Sequence, residues 1–76
     1  MDRLPVSSKQ LVSIGYDQSS LTLEVEFRKG GVYQYVGVSP EAHHGLMSAE
    51  SVGTFFNTMI REGGFHYLRV SEFGGF

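Results

Sequence analysis

Three residues with the chemistry of an anion site lie where the pattern predicts the start of a helix: Ser51, Gly53 and Thr54. Serine is a common N-cap, and the first N–H groups of a helix are unpaired and partly positive, so that they can hold a phosphate. A glycine inside a helix costs up to about 1 kcal/mol relative to alanine, which calls for a reason such as close approach of a ligand. The alternative is a plain N-cap with a glycine that allows close packing on a sheet.

Two polar residues follow on the same predicted helix. Asn57 and Arg61 are four residues apart and therefore share a helix face. With the Ser51 end they would form a polar strip able to contact a base edge and a phosphate. The alternative is that Asn57 bonds a loop backbone, while Arg61 is a solvated cation that the helix dipole favours.

A pair of tyrosines on a predicted strand offers a stacking surface. Tyr33 and Tyr35 alternate along the strand, and paired aromatics on a sheet stack on bases in RNA-binding modules. The alternative is that both rings pack under the helices, with their hydroxyls at the edge of the core.

Cations of two further segments extend the possible phosphate surface. Arg28 and Lys29 lie at the top of a predicted hairpin, and Arg69 lies on the last predicted strand. Exposed turn charges more often serve solubility, and Glu24 and Glu26 on the solvent face of the neighbouring strand would repel a polyanion.

Other chemistry finds little support. There are no cysteines, which excludes disulfides, thiol catalysis and thiolate zinc sites. His43, His44 and His66 do not have metal-ligand spacing, and no serine stands in a glycine-flanked nucleophile elbow. We therefore expect a non-enzymatic protein without metal or cofactor.

Composition sets the class of protein and of partner. Seventy-six residues, 41% hydrophobic and 18% charged, predict one small globular domain. The net charge of −2 does not suit a protein that coats DNA. The apolar runs are too short to span a membrane and no signal peptide is evident, so we expect a cytoplasmic protein. So small a core, with aromatic residues near the C-terminus, favours a homo-oligomer.

The elements predict an α+β fold, a small antiparallel β-meander with two helices on one face. The predicted strands are 11–16, 21–27, the segment that holds Tyr33 and Tyr35, and a last strand over 65–73. Residues 1–10 are predicted as an N-terminal arm or short edge element, and 74–76 as a frayed tail. Gly30 suits the third position of a three-residue hairpin loop, which places Val25 opposite Tyr33 and Leu23 opposite Tyr35.

Capping residues and apolar spacing define the two helices. Ser39 and Pro40 predict the first start and Ser51 the second, which runs to Arg61 before Gly63-Gly64 ends it. The predicted buried positions of the two helices are Ala42, Leu46 and Ala49, and Val52, Phe55, Phe56, Met59 and Ile60.

Two of these segments together resemble the KTSC domain family, which is named for its place at the C-terminus of some lysyl-tRNA synthetases and also occurs alone in bacteria and phages. They are Tyr33-Gln34-Tyr35 and the run Ala49-Glu50-Ser51-Val52-Gly53-Thr54-Phe55-Phe56-Asn57-Thr58-Met59-Ile60. The likeness spans about residues 6–70, and includes Val6-Ser7-Ser8 and Ile14-Gly15-Tyr16-Asp17. The family usually closes with a Tyr-Pro pair and a basic residue, whereas this chain reads Phe65-His66-Tyr67-Leu68-Arg69.

The resemblance implies RNA binding, through the synthetase context alone. With the residues above, it leads us to expect a binding module for a nucleotide-like ligand, either an RNA end or a small signalling nucleotide sequestered as by a phage sponge protein. The expected ligand-binding residues are Tyr33, Tyr35, Ser51, Gly53, Thr54, Asn57, Arg61 and Arg69. The alternative is a protein-protein interaction module with no small ligand.

Overall fold

Five antiparallel strands form one sheet in the order β1-β2-β3-β4-β5, a simple meander. The structure is a computed structural model and describes residues 1–71. The strands are β1 (Arg3–Pro5), β2 (Leu11–Asp17), β3 (Thr22–Phe27), β4 (Val32–Val36) and β5 (His66–Ser71). Between β4 and β5 lie α1 (Pro40–Ser48), α2 (Val52–Phe55) and a π-helical segment (Phe56–Arg61) that continues α2 directly. None of the helices in residues 1–71 is long and apolar enough to cross a bilayer.

The α+β prediction is confirmed, but the predicted strand count is too low. The short edge element that was one alternative for residues 1–10 is confirmed at Arg3–Pro5, which form β1 and pair with β2, Arg3 opposite Gly15. A side chain at Gly15 would lie 2.5 Å from the carbonyl oxygen of Asp2, so glycine allows this close approach. Three residues are too few for a clear alternating pattern, and their partners in β2 lie eight to twelve positions further along the chain. The predicted tail, 74–76, lies outside the described residues.

The predicted hairpin register between β3 and β4 is confirmed. Val25 lies opposite Tyr33 and Leu23 opposite Tyr35. Gly30, with φ of +115°, closes the three-residue loop, and its N–H donates to the carbonyl of Phe27. Both tyrosines therefore lie on the face of the sheet that carries the helices.

The helix starts are confirmed, and the second helix differs in its winding. The hydroxyl of Ser39 accepts from the N–H of Ala42, and that of Ser51 from the N–H of Thr54. From Phe56 the chain is π-helical, and i→i+5 hydrogen bonding raises the number of residues per turn. Residues four apart, such as Phe56 and Ile60, then stay on one face of the helix, while residues three apart, such as Phe56 and Met59, point in different directions.

This winding corrects one predicted core residue. Phe56 and Ile60 are fully buried, but Met59 is 51% exposed. Gly45 in α1, which weakens that helix, has a packing reason, because a side chain there would meet the ring of Phe55 at 2.8 Å.

The core lies between the inner face of the sheet and the helices. Its buried members are Leu11, Ile14, Leu23, Val25, Tyr35, Val38, Leu46, Phe56 and Ile60. The strand β5 contributes none of them, and its side chains from His66 to Val70 are exposed. The helices thus leave uncovered the inner face of the sheet at β5, next to the tyrosine pair.

Candidate functional site

An open groove of about 780 Å³ occupies this uncovered end of the inner face. It is bounded by the segment before β2, the tip of the β3–β4 hairpin, the π-helical segment and β5. The residues that line it are Lys9, Gln10, Phe27, Arg28, Lys29, Gly30, Tyr33, Tyr35, Asn57, Arg61 and Tyr67.

Three tyrosines and Phe27 provide the aromatic surface of the groove. Tyr35 is 5% exposed and packs edge-on against Phe56, with ring centroids 5.5 Å apart. Tyr67, 61% exposed, lies opposite Tyr35 on β5, with ring centroids 5.3 Å apart. Tyr33 is half-buried, and its ring centroid lies 6.0 Å from that of Tyr67. The predicted pair therefore packs beneath the helices and also borders the groove, while Tyr67 has a ring open to a ligand.

Most of the cations of this acidic chain gather at the groove. Four of the six lysines and arginines line it: Lys9, Arg28, Lys29 and Arg61. A fifth, Arg69, holds its guanidinium carbon 5.6 Å from the centroid of the Tyr33 ring. No Asp or Glu within residues 1–71 lines the groove. The local field is therefore positive although the net charge of the chain is −2.

The hairpin tip is fixed to the segment before β2. The guanidinium of Arg28 donates to the carbonyl of Ser8 at 2.9 Å, and the backbone N–H of Arg28 donates to the carbonyl of Gln10 at 2.9 Å. Gly31, with φ of +94°, leaves room for Arg69, since a side chain there would lie 3.1 Å from its guanidinium. These contacts fix Arg28 at the segment before β2 and leave room for Arg69 beside the ring of Tyr33.

Asn57 is held by a side chain rather than by the loop backbone that one alternative expected. Its amide donates to Gln10 Oε1 at 3.0 Å, and the Gln10 amide donates to Asn57 Oδ1 at 3.0 Å. This reciprocal pair ties the π-helical segment to the segment before β2. Arg61 lines the same groove, so the two predicted residues do share one face.

The serine-glycine-threonine motif lies beside the groove rather than in it. The Ser51 hydroxyl caps the Thr54 N–H and donates to the Thr54 hydroxyl at 2.9 Å. A side chain at Gly53 would lie 3.2 Å from Ser8 Oγ, so close packing on the segment before β2 accounts for this glycine. All three residues line a second cavity of about 620 Å³.

One tyrosine of the groove has a shifted pKa. Burial raises the pKa of the Tyr35 hydroxyl, an effect that the nearby Arg61 guanidinium partly opposes. Tyr35 therefore stays protonated at neutral pH and can donate a hydrogen bond. Within the described part of the chain, no cluster of three His, Asp or Glu side chains has the geometry of a metal site. The arrangement can attract an anion and stack an aromatic ring.

Sequence reasoning did not assign Lys9, Gln10 or Tyr67 to the groove. Lys9 and Gln10 were placed in the predicted arm, and Tyr67 was counted among C-terminal aromatics. Nothing local indicates the docking of Gln10 on Asn57, which are 47 residues apart. The signal for Tyr67 was available, because a strand that pairs with β4 must bring its alternate residues beside Tyr33 and Tyr35.

Comparison with known proteins finds similar sequences in a small protein and in part of a synthetase, and a similar fold in a solved structure. An uncharacterized protein of Stutzerimonas stutzeri is 39% identical over 70 residues, which are 92% of this chain and 99% of that protein. A lysine–tRNA ligase of Nostoc punctiforme is 39% identical over 56 residues, which are 74% of this chain but only 10% of the ligase. The crystal structure of a KTSC domain protein from Yersinia pestis superposes with a TM-score of 0.87 at 46% identity, covering 92% of this chain and 97% of that one.

The family model of the KTSC domain matches residues 7–72, nearly the whole chain. The match includes the tyrosine pair of β4, the capped α2 and the residues of the groove. The chain therefore belongs to the KTSC domain family.

Proposed function

We propose that the protein binds a nucleotide-containing ligand in the groove and does not transform it. The observation that supports this most is the coincidence of four lining cations with three tyrosines, in a groove that no acidic residue of the described part lines. Cations bind phosphate, and an exposed tyrosine ring stacks on a base. A nucleotide combines both features in one molecule, a phosphate for the cations and a base for the exposed ring.

The overall charge favours a compact ligand over a long polyanion. Counterion release scales with the number of phosphates neutralised, and only the groove offers a concentration of cations. An RNA end and a free signalling nucleotide share the required chemistry. In the first case the protein would be an RNA-binding module, and in the second a sponge that sequesters the nucleotide.

The direct test is the affinity of the purified protein for the 5′-phosphorylated RNA trinucleotide pApApA, measured by isothermal titration calorimetry. Arg61→Gln should raise the Kd about tenfold, because it removes one charge-assisted phosphate contact. The logarithm of the affinity should fall with the logarithm of salt concentration with a slope of about −2, as expected for three phosphates on a single strand.

The matched control is Gln18→Glu in the exposed β2–β3 turn. It lowers the net charge by one, as Arg61→Gln does, but lies outside the groove. The control should bind pApApA like the unmodified protein. Absence of trinucleotide binding at 50 mM salt, or equal losses in both variants, would refute the proposal. If free 5′-AMP binds as tightly as pApApA, the sponge is favoured over the RNA module.

A second candidate is the protein-interaction module, in the form of a homo-oligomer, and β5 is the observation that favours it. This edge strand exposes Tyr67, Leu68 (54%) and Val70 (42%), and an edge with apolar side chains invites pairing with another strand. On the outer face of β4, next to β5, Val36 is exposed as well, whereas Val32 is buried. Leu68→Ser should then reduce the mass measured by light scattering from oligomer to monomer, with the fold intact by circular dichroism. An unchanged mass would refute this role of β5.

A further inference from the structure

The groove and the second cavity lie on either side of a shared boundary that includes the amide pair of Gln10 and Asn57. Four residues line both of them: Lys9, Gln10, Arg28 and Asn57. From this shared boundary we infer that the two cavities form one continuous track, which takes at least two linked nucleotides rather than a single one. The inference rests on the proposed function, since it specifies the ligand of the same site.

The lining residues of the two cavities differ in chemistry, and each set suits a different part of one ligand. The groove has three tyrosines and four cations, whereas the second cavity has no aromatic residue among those described. Hydroxyl and carboxylate groups line it instead, from Ser7, Ser51, Thr54 and Glu50. Such groups pair with ribose hydroxyls and base amino groups rather than stack. The groove suits a stacked base, and the second cavity suits a sugar and a base edge.

The boundary between the cavities suits the phosphate that links two nucleotides. The two cations of the boundary are Lys9 and Arg28, and the Arg28 guanidinium is oriented by the carbonyl of Ser8. Glu50 is the one acidic residue in the described lining of either cavity, and it lies in the second. A phosphate is therefore favoured at the boundary and disfavoured beyond it.

The test compares pA, pApA and pApApA on the same protein at one salt concentration, by calorimetry. The Kd should fall about tenfold from pA to pApA, since the dinucleotide adds the boundary phosphate and fills the second cavity. Ser7→Glu should remove most of this gain, because it places a negative charge in the second cavity. Ser7 is exposed and lines only that cavity. Gln18→Glu adds the same charge elsewhere and should keep the gain. Circular dichroism checks that both variants fold.

A second variant tests the track in the opposite direction. Glu50→Gln should tighten pApA two- to threefold and leave pA unchanged, whereas Glu41→Gln, on the exposed side of α1 and outside both cavities, should change neither. Equal affinity for pA and pApA, or equal effects of Ser7→Glu and Gln18→Glu, would overturn the continuous track. The proposal that the groove binds a nucleotide would not be affected by either result. If none of the three probes binds, the proposed function itself fails.

Discussion

The two faces of the sheet both carry charged residues, but they differ in whether cations and acids are paired. On the outer face, Arg3 forms an ion pair with Glu24, and Gln34 donates to the same carboxylate at 2.8 Å. Ser13 donates to Glu26 at 2.8 Å and accepts from Arg3 at 2.9 Å. At the inner face, four cations line the same groove as the tyrosines, with no acid among the described lining residues.

The difference separates charges that stabilise the fold from charges that are available to a ligand. Glu24 was predicted to be solvated, yet it is 6% exposed and fully paired. A buried carboxylate must be paired, because leaving it unpaired costs several kcal/mol. Repulsion of a polyanion by Glu24 and Glu26 is therefore weaker than predicted. Arg3 neutralises part of their charge, and both acids lie on the face of the sheet opposite the groove.

The largest expected effect comes from breaking the outer network. Arg3→Gln should lower the free energy of unfolding by about 2 kcal/mol, because it leaves the buried Glu24 carboxylate without its cation. Urea denaturation measures this loss. The affinity for pApApA should stay within twofold at a temperature where the variant is folded. A tenfold loss of affinity with unchanged stability would reverse the roles assigned to the two faces.

A smaller effect should follow from removing the exposed ring of the groove. Tyr67→Ala should weaken pApApA binding about tenfold, the size of one base–tyrosine stack, and Tyr67→Phe should keep most of the affinity. Leu68→Ala is the matched control, since Leu68 is the next residue of β5 and lies on the outer face opposite Gln34. Equal losses for Tyr67→Ala and Leu68→Ala in calorimetry would show that the edge strand, not the groove, carries the binding.

The smallest expected effect concerns pH and lies at α1, away from both charged regions. His43 stacks on Tyr16 with centroids 4.4 Å apart, and burial, helped by the neighbouring His44, lowers the pKa of His43 below its ordinary 6.5. The unfolded chain then takes up the proton at a higher pH than the folded protein does. The free energy of unfolding should be insensitive to this group above pH 6.5 and should fall as the pH drops below it.

Urea denaturation at pH 7.5 and 5.5 measures this fall. His43→Phe, which keeps an aromatic ring next to Tyr16, should show a smaller fall than the unmodified protein. His66→Gln on the exposed β5 should show the same fall as the unmodified protein. An identical pH dependence in all three would contradict the assignment to His43.

The sequence predicts those elements of the fold that a single residue or a short motif determines. Gly30 predicts the loop and with it the register, and Ser39 and Ser51 predict the helix starts. The π-helical winding was not predictable in the same way, because the apolar spacing of Phe56, Met59 and Ile60 also fits an α-helix.

The site was predictable only in part, because it joins segments that are distant in the chain. Arg61 and the tyrosine pair were identified from types and spacing, and the structure places them together in the groove. Lys9 and Gln10 reach it only through the docking of the segment before β2 on Asn57 and Arg28. The pairing of Arg3 with Glu24 likewise requires β1, which carries no local signal.

The most direct test of the central claim is a ¹⁵N–¹H NMR titration of the full chain with pApApA, which reports both faces in one experiment. The account predicts that the backbone amide shifts concentrate at Lys9, Arg28, Tyr33, Asn57 and Arg61, while Ser13, Glu24 and Gln34 stay unchanged. Shifts centred on the outer face or on α1, or no shifts at millimolar trinucleotide, would contradict the claim that the groove is the ligand site.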